Sequence, residues 1–125
     1  MAVLLNHTIV HARDRHASAE FLAEILALPR PTTYGPFTIV RVANDVSLDF
    51  AEAPGEIQAQ HYAFLVSEED FDAILGRIVA RGLTYWADPY HRRPGEINTN
   101  DGGRGLYWCD PDGHNLEIIT RPYGG

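Results

Sequence analysis

The sequence has no lysine, a single cysteine and no long apolar run, and each absence closes off a class of protein. Arginine carries all 10 positive charges among 125 residues, against 17 acidic ones, for a net charge of -7. An acidic surface repels phosphate backbones, so no nucleic-acid partner is expected. The basic cluster of Arg92 and Arg93, with Arg104 further on, is too small for a nucleic-acid footprint; it reads first as a solvated loop and second as a hold for a small anionic substrate. With Cys109 alone there is no internal disulfide and no multi-cysteine zinc site, and a reducing, cytoplasmic location is expected. No apolar stretch approaches the ~20 residues that span a membrane. No basic segment precedes the opening Met1-Ala-Val-Leu-Leu, so a secretory leader is not expected either.

What is present is ordinary for a globular domain: 45% hydrophobic and 22% charged residues. Laying His7 over His61 exposes an internal repeat. Each histidine sits in a strand-like run, and an acid follows seven residues later, Asp14 and Glu68, near the start of a helical pattern. In the second pattern Phe71, Ile74, Leu75, Ile78 and Val79 form one apolar face; in the first, Ala17, Phe21, Leu22, Ile25 and Leu26 do so less cleanly. Pro29 and Pro31 are expected to stop the first helix and Gly82 the second. Strand-like runs follow: Phe37–Val42 and Val46–Ala51 in the first copy, then Leu83–Trp86, Gly105–Cys109 and Asn115–Thr120 in the second. The last two flank Asp110-Pro-Asp-Gly, a tight-turn sequence. The chain therefore reads as strand–helix–strand–strand–strand, twice. Pro89–Gly103, long and rich in glycine and asparagine, is expected to be a lid.

Period-2 alternation decides which side chains share a surface. It places His7, Asp49, His61 and Glu117 on strand faces turned away from the helices. Two imidazoles and a carboxylate are the ligand set of an open catalytic metal site for Fe, Mn, Zn, Ni or Co. Asp49 stays open between a polar wall residue, a fourth ligand and a base.

These residues carry a resemblance. The His7 strand, Gln60-His-Tyr-Ala-Phe, and above all Gly105-Leu-Tyr-Trp-Cys-Asp-Pro-Asp-Gly-His-Asn-Leu-Glu-Ile resemble the vicinal oxygen chelate superfamily. That superfamily includes glyoxalase I, extradiol dioxygenases, fosfomycin resistance thiol transferases and bleomycin resistance proteins. The resemblance implies an α+β fold of two βαβββ modules, about residues 1–54 and 55–125 of a single domain, forming a curled mixed sheet around a metal cavity. It puts His7, His61 and Glu117 on the metal-ligand positions for one divalent ion. Tyr107, ten residues before Glu117, matches a catalytic tyrosine of the extradiol enzymes, and Asn98 falls near the place of one of their further histidines. Arg92, Asn98 and Arg104 are the expected substrate-side residues, with Tyr107 and Asp49 the catalytic ones. The implied activity is isomerase or lyase chemistry, or ring-cleaving dioxygenation, on a small substrate, in a homodimer. The rival is a non-catalytic protein that sequesters a drug or metabolite between Tyr85, Trp86, Tyr90, Trp108 and Tyr123.

Overall fold

In the computed structural model, which describes residues 2–124, the chain divides into two compact units, Met1–Ile57 and Gln58–Gly125. Both run through the same order of elements. The first holds β1 (His7–Ala12), α1 (Arg15–Leu26), β2 (Thr32–Tyr34), β3 (Phe37–Arg41) and β4 (Ser47–Glu52). The second holds β5 (His61–Leu65), α2 (Glu68–Ala80), β6 (Tyr85–Trp86), β7 (Gly105–Cys109) and β8 (Asn115–Ile119). Each unit builds one four-stranded mixed sheet, β1-β4-β3-β2 and β5-β8-β7-β6. In each, the strand before the helix lies parallel to the last strand, and the remaining pairings are antiparallel. The fold is thus α+β with two βαβββ modules. It is carried by two four-stranded sheets rather than one continuous sheet, and β1 and β5 are edge strands among the described residues.

The helices begin where side chains can satisfy their first N–H groups. Asp14 caps α1, its carboxylate accepting from the backbone N–H groups of His16 and Ala17 at 3.1 Å. The second module uses Ser67 instead, whose hydroxyl accepts from Asp70 at 3.1 Å. Glu68, the residue aligned with Asp14 in the sequence, is the first helical residue and favours the positive end of the helix dipole. Neither helix needs a proline to stop. Ala27 turns left-handed (φ 53°) and the N–H of Leu28 reaches back to the Ala23 carbonyl at 2.8 Å, ahead of Pro29. Gly82 (φ +69°) does the same for α2, with Leu83 bonded to Ile78.

The buried stripe of α1 is Ala19, Leu22, Ala23 and Ile25, so the face is rotated away from Ala17, which is exposed. On α2, Phe71, Ile74 and Ile78 are buried while Val79 stays 56% exposed. Against the helices lie Val10 and Ala12, Val40, Leu48 and Phe50 in the first sheet, and Leu106, Trp108, Leu116 and Ile118 in the second. Each large apolar side chain buried there is worth about 1.5–3 kcal/mol. Because strand side chains alternate, fixing these residues toward the helices turns His7, Ile39 and Asp49, and His61, Tyr107 and Glu117, onto the opposite faces.

Candidate metal centre

In the second module β8 lies between β5 and β7, with Glu117 paired to Ala63 on one side and to Tyr107 on the other. His61 precedes Ala63 by two residues and so shares its face. Its Nε2 lies 3.0 Å from Glu117 Oε1. Its Nδ1 lies 3.0 Å from the Asn115 carbonyl oxygen, which can only accept. Nδ1 therefore carries the ring proton, and the Nε2 lone pair is turned at the carboxylate. That arrangement is complete only if Nε2 takes a second proton or a cation sits with both groups. An imidazole whose other nitrogen is held by a carbonyl, beside a carboxylate, is a donor set suited to Fe, Mn, Zn, Ni or Co.

Tyr107 completes this corner. Its ring lies 5.9 Å from that of His61, centroid to centroid, and its hydroxyl donates to Glu117. Burial and the Glu117 carboxylate push the phenol above its ordinary range, so it remains a neutral donor. A cavity of about 300 Å³ opens over the corner, and Asn98, Arg104 and Tyr123 also line it.

The first module repeats the geometry with different residues. His7 and Ser47 pair in β1 and β4, and Asp49 occupies the place in β4 that Glu117 holds in β8. His7 Nδ1 donates to Asn6 Oδ1 at 2.7 Å, leaving Nε2 as the free donor atom. Asp49 Oδ1 accepts from the Ser47 hydroxyl at 2.8 Å. Among the described residues no group of three or more His, Cys, Asp or Glu side chains converges on one point. The structure thus brings His61, Glu117 and Tyr107 together in one module and places His7 and Asp49 on the equivalent face of the other.

Of the expected substrate-side residues, Asn98 and Arg104 line this cavity while bonded to other parts of the chain, and Arg92 does not line it. Asn98 is buried; its amide donates to the Ala87 carbonyl at 2.8 Å and its oxygen accepts from the Asn100 N–H at 3.2 Å. The Arg104 guanidinium is clamped on α2 by Glu68 and Asp72, both at 2.8 Å, and lies over the Phe71 ring. Arg92 is bound through its backbone N–H to Asp88 and stacks toward Tyr90 rather than lining the cavity. Burial works against the Asp88 charge, but the N–H groups of Arg92 and Arg93 outweigh it and hold the carboxylate below its usual range. The Pro89–Gly103 segment is laced down rather than free. Gly95 bonds to Tyr85, Asn98 to Gly105, and His91 stacks on Trp86 at 3.7 Å while its Nε2 reaches Asn115 Oδ1. The sequence offered no signal for this His91–Asn115 link, because His91 takes a left-handed backbone (φ 60°) that a histidine seldom announces.

Comparison with known proteins agrees with this geometry. The chain is 32% identical over 120 residues to the glutathione transferase FosA of Serratia marcescens, covering 91% of this chain and 78% of that protein. It is 24% identical over 121 residues to the metallothiol transferase FosB of Lysinibacillus sphaericus (strain C3-41), covering 93% and 81%. The solved structure of the oxidase ChaP-H1 superposes with a TM-score of 0.97 at 69% identity, covering 99% of this chain and all of that one. No protein-family model matches. The chain belongs to the vicinal oxygen chelate superfamily and is one of its enzymes.

Proposed function

We propose that the protein is a divalent-metal-dependent oxidase that engages a small substrate through two adjacent oxygens, with His7, His61 and Glu117 as the metal ligands. The observation that carries this reading is the His61–Glu117 pair, with Nδ1 held by a backbone carbonyl so that Nε2 is presented as a ligand. The likeness to an oxidase at 69% identity favours oxidation over the thiol transfer named for the more distant relatives. When bound, the metal supplies Lewis acidity to the substrate oxygens and, if redox-active, a route for electrons to dioxygen. The chain's own groups do the rest. Asn115 fixes the His61 tautomer, and the Tyr107 hydroxyl holds Glu117 and faces the cavity. Asp49, with one oxygen on Ser47, keeps the other for a substrate proton or for the metal.

We read the two modules as one domain, acting as a homodimer in a reducing, cytoplasmic compartment. The edge strands β1 and β5 and the exposed Leu5, Ile9 and Leu65 support the association, since open apolar edges call for a cover. The test begins with metal content by mass spectrometry on untagged protein. One ion per chain in the wild type, and its loss in His61→Ala, Glu117→Ala and His7→Ala with circular dichroism unchanged, is the expected result. Oxygen uptake with catechols and none with glutathione hemithioacetals would support oxidation. A metal-free protein that binds planar aromatics would favour sequestration instead.

A further inference from the structure

The sheet face of the first module carries one charge that no contact explains. Register puts His7 opposite Ser47 and Ser47 opposite Arg41, so the three form one row across β1, β4 and β3. In the next row Asp49 faces Ile39, and Tyr34 pairs with Phe37 at the end of β3. A cavity of about 480 Å³ opens over this face, polar at the end of His7, Asn6 and Arg41 and apolar along Ile39, Phe37 and Tyr34. Tyr34 is 75% exposed.

Arginines 15, 93 and 104 are each paired with a carboxylate; Arg30 and Arg121 have no side-chain partner among the described residues but lie outside the sheets. The Arg41 side chain has no hydrogen bond or ion pair among the described residues. The acid that lines the same cavity, Asp49, is engaged by Ser47 instead. In a protein of net charge -7 an unpaired guanidinium has an abundance of carboxylates to choose from, and this one is left facing a cavity. Comparison of the two modules isolates it further. The place opposite Asn115 in the second sheet, which corresponds to Arg41, holds Cys109, so the repeated scaffold has no need of a cation there.

We infer that Arg41 anchors a carboxylate on an aromatic substrate whose adjacent oxygens are bound at His7; this rests on the metal-centre reading above. Two strand spacings, about 10 Å, separate the backbones of His7 and Arg41, and a ring-sized body bridges the gap once both side chains reach inward. Phe37, Ile39 and Tyr34 give such a ring an apolar flank. The planar fork of the guanidinium matches a carboxylate with two parallel hydrogen bonds. The anchor selects anionic substrates against the repulsion of the rest of the surface.

The test uses calorimetric titration of the zinc-loaded protein, in which no oxidation occurs. The probes are protocatechuate, dihydrocaffeate and the uncharged 4-methylcatechol. Wild type is expected to bind at least one carboxylated catechol about tenfold or more tightly than 4-methylcatechol. Arg41→Gln should abolish that preference while leaving metal content unchanged and 4-methylcatechol affinity within about twofold, and Arg41→Lys should keep part of it. A wild type without the preference, a preference that survives Arg41→Gln, or an equal weakening of all three probes would overturn the inference while leaving the metal centre standing. If the protein takes up no metal, the metal reading falls and the inference with it; a loaded protein that binds none of the three overturns the inference alone.

Discussion

Replacing His114 by alanine probes how the second module holds the His61 strand in place. The His114 ring is fully buried, meets Tyr62 edge-on at 6.0 Å, and accepts the Gln60 N–H on Nδ1 at 3.0 Å. A nitrogen that accepts carries no proton, so the ring is neutral with its proton on Nε2. Truncation orphans the Gln60 donor, at about 1–3 kcal/mol. It also leaves a ring-sized void; emptying a buried phenylalanine costs about 3–5 kcal/mol, and the smaller imidazole less. The two together come to about 3–5 kcal/mol, a large part of the 5–15 kcal/mol, roughly, that holds a domain of this kind together. In urea, with a slope of about 1–3 kcal/mol/M, the midpoint should fall by about 2 M. His114→Phe fills the void but leaves the donor unpaired, so it should recover about half of the loss. Gln60 also accepts from the Asn115 N–H at 2.8 Å and directly precedes His61, so the loosening should lower metal affinity as well. A loss under about 1 kcal/mol for the alanine variant, or a phenylalanine variant as damaged as the alanine one, would refute this division of the energy.

Three further outcomes follow from the geometry. Arg104→Gln should raise the carboxyl pKa of Asp72, which Arg104 holds down, and that of Glu68, held down by Thr120 and then Arg104; carboxyl-carbon NMR titration reads both. Because both folded values are depressed, their contribution to stability is present above the unfolded value and is lost as pH falls through the folded one; wild type and variant should differ at neutral pH and converge in acid. Tyr107→Phe should leave metal content unchanged yet lower turnover by about tenfold or more, through loss of the hydroxyl that holds Glu117. Asn98→Ala should lower the melting temperature, at a cost of about 1–3 kcal/mol for its two bonded ends, with KM little changed; a raised KM at unchanged stability would make Asn98 a substrate contact instead.

Most of the fold was legible because it is written in two periods. Alternation along the two histidine strands, Val46–Ala51 and Asn115–Ile119 assigned their side chains to the helix face or the open face, and the repeat supplied the order of elements. Three features were not legible for physical reasons. β2 is three exposed residues, too short to show a period. The rotation of α1 depends on Ala19 and Ala23, small residues whose burial is set by how closely the sheet approaches. The fates of Arg104 and Asn98 depend on partners distant in sequence or on the path of a loop. Nothing local says that Arg104 will be claimed by Glu68 and Asp72, 36 and 32 residues away.

The repeat itself explains why the pairing of histidine with acid was the readable part of the site and the rest was not. His7 and His61 stand at matching places, as do Asp49 and Glu117. A repeated scaffold carries the same donor types in each copy, and self-comparison of the sequence recovers them. The two open faces differ at the places beside this pair. Tyr107 stands where the first module has Ile39, and Arg41 where the second has Cys109. The support of the shared positions has diverged as well: a backbone carbonyl fixes His61, whereas the side chain of Asn6 holds His7. Side-chain support can be given up when a ligand arrives; a carbonyl in a strand ladder cannot move without breaking the sheet. The His61 face of the second module is therefore held by the strand ladder, and the His7 face of the first by a side chain that can change partners.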